Sequence, residues 1–208
     1  MSAVPGRFPS AAILLAGGAA RRMGGHPKLL LSIDGESLLQ RAIRLARAVQ
    51  AAPILVVLGG HAESYRAHLA DADGAPDVEL IDNPQWAEGL GASLRCGIAA
   101  LPPNRPPEAT FFVLAPDQPL VSVTQLHRLQ DALRDHPEAT AAACDYAGTP
   151  GVPVLFRYVW RHRLLGAHGD IGARRYLREY RHEVTTLPFP KGACDIDTEE
   201  DYIAFLRR

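Results

Sequence analysis

Three short runs of apolar residues constrain this chain more than any other feature: "AAILLA" at 11–16, "PILVVLGG" at 53–60 and "TFFVLAPD" at 110–117. Each is brief and closed by glycine, proline or aspartate, which marks a strand rather than a helix. Strands this apolar are buried on both faces, so helices must cover the sheet above and below, and the sheet is mainly parallel. The intervening segments supply those helices. In 36–50, "ESLLQRAIRLARAVQ", Leu38, Leu39, Ala42, Ile43, Ala46 and Val49 form one apolar stripe at helical spacing. Arg41, Arg44 and Arg47 fall outside the stripe and read as a solvated face, not as a nucleic-acid patch. Residues 61–72, 91–101 and 123–136 also read as helices, and "DVELID" at 77–82 as a further strand. Strands near 139–144, 151–156 and 183–187, helices within 157–180, and a closing helix capped by Thr198 complete the pattern.

The expected fold is therefore α/β: one doubly wound domain over residues 1–208, with helices on both faces of the sheet and the first ten residues as a flexible lead. A length of 208 residues suits one domain, given the usual prior of about 100–200 residues. "PPNRPPEA" at 102–109 is a connector, too short to separate domains, and no internal repeat is visible.

A formal net charge of −1 supplies no global field for nucleic acid or an anionic membrane. Cys96, Cys144 and Cys194 are far apart with no CxxC, which argues against a disulfide framework or a zinc site. The histidines show no HxH or HExxH spacing. The first residues lack the apolar core of a signal peptide, and no apolar run approaches the roughly 20 residues that span a bilayer. A cytoplasmic location is the expectation.

In open α/β sheets ligands bind beyond the carboxyl ends of the strands. The loop after the first strand, "AGGAARRMGGHPK", carries Gly17, Gly18, Arg21, Arg22, Gly24, Gly25 and Lys28. It is neither a GxGxxG fingerprint nor a Walker A loop, since Leu29 follows Lys28. Its content still suits phosphate. Glycines let backbone N–H groups approach an anion, and the cations neutralise it. Asp117 ends an apolar strand, where a ligand belongs. Asp195 and Asp197 lie two apart, so an extended backbone puts both on one face.

At this point the chain resembles a known family. "LLAGGAARRMGGHPKLLL" is similar to the opening L-A-(A/G)-G-x-x-x-R-M-G of nucleotidyltransferases. "NPQWAEGLGASLRCGI", "APDQPLV", "GDIGARRYL" and "DIDTEEDY" resemble, in order, later motifs of the molybdenum cofactor nucleotidyltransferases, the cytidylyltransferase branch in particular. The resemblance covers residues 11–203 or so. It implies transfer of a nucleoside monophosphate from an NTP, CTP ahead of GTP, to a phosphate monoester of the molybdopterin type, with release of pyrophosphate. It also implies Mg²⁺ as cofactor and a molybdenum hydroxylase or its accessory protein as a partner.

The same resemblance implies roles. The backbone of Leu15, Ala16, Gly17 and Gly18 would hold base and ribose. Arg22 and Lys28 would bind the triphosphate, and the segment from Asn83 through Gly89 to Ser93 would close over the base. Asp117 and Asp197 would hold the metal, so that Arg22, Lys28 and Asp117 form the catalytic set. Asp170 and Arg174 would shape the acceptor site. No general base is needed, because a phosphate oxygen is already ionised. Three positions depart from the pattern: Gly17, which matches the guanylyl form and removes a methyl from the pocket floor; Val152, at a usually polar position; and Gly91, where serine is common. Two alternatives stay open: transfer to a sugar or alditol phosphate, and a non-catalytic cofactor carrier. Intact Arg22, Lys28, Asp117 and Asp197 argue against the carrier.

Overall fold

In the computed structural model, which describes residues 10–70, 77–170 and 172–207, the elements follow in this order. The first half holds β1 (Ser10–Ala16), β2 (Ser32–Ile33), β3 (Glu36–Ser37), α1 (Leu38–Ala48), β4 (Ile54–Leu58), α2 (Ala62–Ala70), β5 (Val78–Asp82) and α3 (Leu90–Ala100). The second holds β6 (Thr110–Leu114), α4 (Val123–Asp135), β7 (Ala141–Tyr146), β8 (Thr149–Arg157), α5 (Arg161–Leu164), α6 (Ala173–Glu179), β9 (Val184–Pro188) and α7 (Glu199–Leu206). Seven strands form one sheet in the order β5-β4-β1-β6-β8-β7-β9, and β2 pairs with β3 as a separate ribbon. Only β8 runs against the others, so the sheet is mainly parallel, as the apolar runs require.

The period of two in β1 sorts its side chains between two cores. Ala12, Leu14 and Ala16 pack with α1, α4 and Tyr65 of α2. Ala11 and Ile13 pack on the opposite face with Leu94 and Ile98 of α3, Leu164 of α5 and Leu177 of α6. Leu38 and Leu39 of α1 are fully buried, and burying such a side chain contributes ~1.5–3 kcal/mol. The arginine row of α1 is consumed locally. Arg44 pairs with Glu36 at 2.9 Å, Arg47 pairs with Asp77 at 2.8 Å, and Arg41 donates to the Pro119 carbonyl at 3.1 Å. No helix among the described residues is long and apolar enough to cross a membrane.

Several boundaries differ from expectation, each for a local reason. β1 begins at Ser10, whose hydroxyl bonds Thr110 Oγ1 at 2.6 Å, so this residue of the expected lead belongs to the strand; residues 1–9 lie outside the described residues. The expected helix at 36–50 starts at Leu38 instead. Asp34 and Gly35, both at positive φ, turn β2 into β3, and Ser37 then caps α1 through a reciprocal box with Gln40. β6 ends at Leu114 rather than running to residue 117, because Pro116 has no N–H to continue the ladder. The last two residues of the expected helix at 61–72 lie outside the described residues. Thr198 does cap the final helix, with Asp201 completing its capping box.

One polar network pins the far edge of the sheet. Arg163 holds Glu183 through two hydrogen bonds at 2.9 and 3.0 Å, and Thr140 donates to the same carboxylate at 2.7 Å. The Arg163 hydrogen bonds hold the Glu183 carboxyl below the usual range. A carboxylate held low stabilises the fold above its unfolded pKa, and this is lost as pH falls through the folded value. Glu183→Gln is therefore expected to cost about 1–2 kcal/mol at neutral pH and much less at pH ~3, measured by urea unfolding of both proteins at the two pH values.

Candidate active site

β1 and β6 are neighbours at the centre of the sheet, but the chain leaves β1 towards β4 on one side and reaches β6 on the other. Such a switch point opens a crevice at the carboxyl ends of the strands. A cavity of about 780 Å³ occupies it, within the usual range for ligand sites of roughly 300–1,000 Å³. The loop after β1 forms one wall through Leu15, Ala16, Gly17 and Gly18, with Arg22 and Lys28 beyond them. Gly89 and Ser93, at the start of α3, form the roof. Asp117 enters just past β6, Asp197 just before α7, and Asp170 and Arg174 close the far end. All these residues share the cavity. Asn83 is the exception. It is buried behind the wall, where Oδ1 accepts the Gln85 N–H at 3.0 Å and Nδ2 donates to Ser93 Oγ at 3.1 Å. It positions Ser93 and does not line the cavity.

Charge converges on Lys28. This residue opens a short 3-10 turn, Lys28–Leu30, which the buried Leu29 anchors in the core. Its ammonium donates to Asp117 Oδ2 at 2.6 Å and to Asp197 Oδ1 at 2.9 Å. Arg22 Nη1 lies 3.1 Å from the other Asp197 oxygen. The Lys28 side chain is only 15% exposed, and burial pulls its pKa down. The charges and hydrogen bonds of Asp117 and Asp197 outweigh that and leave it above the ordinary lysine value. Asp195 lines the same cavity, and its carboxyl is pushed up by loss of hydration, then by the like charges of Asp117 and Asp197.

Asp117 and Asp197 therefore already grip one cation with hard oxygens, the donor chemistry that a divalent ion of the Mg²⁺ type requires. No group of three or more His, Cys, Asp or Glu among the described residues is arranged to hold an ion alone. That suits an ion held by one or two carboxylates together with substrate phosphates.

The two glycine departures have steric causes. A Cβ on Gly17 would lie 2.4 Å from Ser93 Oγ, so the missing methyl makes room for that hydroxyl and is not an open pocket floor. A Cβ on Gly91 would meet the backbone of His168 at 2.6 Å, while the Gly91 N–H donates to the Gly169 carbonyl at 2.8 Å. Glycine here lets α3 dock flush against the loop that carries Asp170. Arg95 ties the same two walls: it donates to the Ala167 carbonyl at 2.7 Å and to Gln85 Oε1 at 2.9 Å. Val152 lines the cavity, and its carbonyl accepts a hydrogen bond from the Tyr146 hydroxyl.

Sequence reasoning missed Tyr146, Gln118 and Arg95. Gln118 lies inside the "DQP" motif and donates to the Gly192 carbonyl at 3.0 Å and to the Tyr146 oxygen at 3.2 Å. Tyr146 carries no motif signal, and burial pushes its phenol well up, so it stays a neutral donor. His61 has Nε2 3.0 Å from the Ala19 carbonyl and supports the loop. Trp86 lines the cavity.

A doubly wound sheet with a glycine- and arginine-bearing loop after its first strand and acids converging at the switch point defines a nucleotide-binding α/β domain. The chain belongs to the MobA-like NTP transferase family, whose domain it matches over residues 12–184, and so carries a nucleotidyltransferase domain. Among curated proteins it is 36% identical over 124 residues to the bifunctional protein GlmU of Burkholderia multivorans, a match covering 59% of this chain and 25% of that protein. The chain thus aligns with only a quarter of that relative's length. Among solved structures, Rv0371c of Mycobacterium tuberculosis H37Rv superposes with a TM-score of 0.75 at 29% identity, covering 97% of this chain and 99% of that one. Its complex with manganese superposes at 0.73 and 28%, covering 97% and 100%. Molybdopterin-guanine dinucleotide biosynthesis protein A of Archaeoglobus fulgidus shares the fold, with a TM-score of 0.63 at 18% identity and coverage of 94% and 95%.

Proposed function

We propose that this protein transfers a nucleoside monophosphate from an NTP to a phosphate monoester and releases pyrophosphate. CTP is the favoured donor, with GTP second, and a molybdopterin-type cofactor is the acceptor. The observation that carries this reading is the meeting of Arg22 and Lys28 with Asp117 and Asp197 at the switch point. The motif order from Gly17 to Asp201 supports the acceptor class.

In the reaction an ionised acceptor oxygen bonds to the α-phosphorus while the bond from that phosphorus to the bridging oxygen breaks. Pyrophosphate leaves with the electron pair. Each like-charge pair at 4 Å opposes the approach by about 4 kcal/mol at an effective dielectric near 20. Neutralisation and alignment are thus most of the task. Arg22 and Lys28 take up charge on the phosphates, and Lys28, part-buried, does so with little competing water. The loop backbone from Leu15 to Gly18 and the Ser93 hydroxyl orient the nucleoside, with Asn83 fixing Ser93. Asp170 and Arg174 bind and orient the acceptor. Asp117 and Asp197 would hold Mg²⁺, which when bound supplies Lewis-acid stabilisation of phosphoryl charge. The manganese complex of Rv0371c, a protein of similar fold, supports a divalent ion at this site. The capped cofactor would then pass to a molybdenum hydroxylase or its accessory protein.

Pyrophosphate release should be measured with each of the four NTPs, with and without the molybdenum cofactor. Release that needs the cofactor and ranks CTP first supports the proposal. Nucleotide binding without release under any condition overturns it in favour of a carrier. Val152, apolar where the motif it resembles is polar, removes a possible hydrogen bond to the cofactor and favours a second reading: a sugar or alditol phosphate acceptor. Release with such an acceptor and none with the cofactor would establish that one.

A further inference from the structure

We infer that Lys28 is the resting counter-ion of the metal site: its ammonium holds Asp117 and Asp197 together until a nucleotide draws it onto phosphate oxygens, so divalent metal enters with the nucleotide and not before it. The inference rests on the nucleotidyltransferase reading for the identity of the incoming anion.

The carboxylates that the metal needs are those the ammonium grips, at 2.6 and 2.9 Å. A divalent ion of the Mg²⁺ type binds carboxylate oxygens at about 2.0–2.1 Å, which would leave a second cation in near contact with it. On the two oxygens that face Lys28 the cations exclude each other. A bare metal ion taking those oxygens must strip Lys28 of both partners inside a part-buried pocket and leave the ammonium unpaired, which is costly. A triphosphate changes the balance, because it offers the ammonium new anionic oxygens as the metal takes the old ones. The geometry allows the swap. Leu29 fixes the backbone of the turn, while the lysine stem carries several rotatable bonds through which its ammonium can be re-aimed. Arg22, well exposed and 3.1 Å from Asp197 Oδ2, can turn to phosphate in the same step. Two cations, Lys28 and Arg22, here face three acids, Asp117, Asp195 and Asp197, so the cations offset all but one of the acidic charges without metal.

The test is Mn²⁺ binding without turnover, followed by the loss of the free-ion electron paramagnetic resonance signal. Lys28→Met should bind Mn²⁺ alone at least about tenfold more tightly than the parent protein. Lys28→Gln should do the same, and Asp197→Asn added to either should abolish the gain. Thermal unfolding should agree: Mn²⁺ raises the Tm of Lys28→Met more than that of the parent. Equal Mn²⁺ affinity in parent and variants overturns the inference. So does a variant that neither folds alone nor recovers with Mn²⁺, since metal would then be unable to replace the ammonium. Calorimetry with an α,β-methylene CTP analogue and Mn²⁺ separates the two readings. If the analogue binds but Lys28→Met leaves metal affinity unchanged, the inference falls and the function stands. If Mn²⁺ tightens but no nucleotide binds, the function falls and the counter-ion role of Lys28 stands.

Discussion

Asp117→Asn is expected to give a folded protein that releases pyrophosphate at least about 10³-fold more slowly than its parent, since losing about 4 kcal/mol of transition-state charge stabilisation corresponds to that factor. The substitution keeps the size and one hydrogen-bonding oxygen of the side chain but removes a hard anionic ligand from the switch-point crevice. Its effect on stability should be small for an electrostatic reason. The change removes a charged hydrogen bond from Lys28, held at 2.6 Å, an interaction of about 1.5–3 kcal/mol. It also removes one of the like charges that hold the Asp195 carboxyl above its ordinary value, after burial itself. The two effects oppose, so unfolding free energy should move by no more than about 1–2 kcal/mol in urea titration. A variant that keeps its turnover removes Asp117 from the metal site. A variant that loses both activity and fold makes the acid structural.

Much of the fold was legible because burial on both faces leaves a plain mark on sequence. Leu55, Val57 and Phe112 can be apolar without alternation only if helices lie on both sides of the sheet. The direction of β8 was not legible, since an antiparallel strand buried on both faces has the same composition as a parallel one. The ribbon before α1 was legible in principle: Asp34-Gly35 is a strong hairpin signal, but its strands are only two residues long. The candidate site divides in the same way. Residues in contact with a shared cavity, such as Arg22, Lys28, Asp117 and Asp197, carry chemistry in their type and spacing. Asn83 and Arg95 act through other residues, and nothing in their neighbours along the chain announces the partner; Tyr146 lines the cavity, but no motif marks it. The pairing of Lys28 with both acids was likewise hidden. Sequence places cations and anions in the crevice but does not say which of them neutralise one another before a ligand arrives.

Gly17→Ala tests the position where sequence and structure differ most in meaning. Read along the chain, the absent methyl is extra room for a larger base. In space, that room is filled: the Cβ would lie 2.4 Å from Ser93 Oγ and 3.4 Å from Ser93 Cβ. Ser93 is buried, and its hydroxyl accepts from Asn83 Nδ2 at 3.1 Å. An alanine must therefore turn the hydroxyl away and strand a buried amide N–H, at a cost of about 1–3 kcal/mol. Ser93→Ala should carry a similar cost, because it strands the same N–H. The double variant should not carry the sum. Once Asn83 has lost its acceptor, the new methyl meets only a methyl at the tight but adjustable distance of 3.4 Å. The double variant is thus expected to be at least about 1 kcal/mol more stable than additivity allows, measured by urea unfolding of the four proteins. Strict additivity would mean that position 17 and Ser93 do not touch. The ratio of kcat/KM for CTP to that for GTP should follow the same cycle. If Gly17 acts on the base through Ser93, the ratio shifts with Gly17→Ala in the parent and stays fixed when Ser93 is already alanine. A shift of equal size in both backgrounds would return the selectivity to the methyl itself.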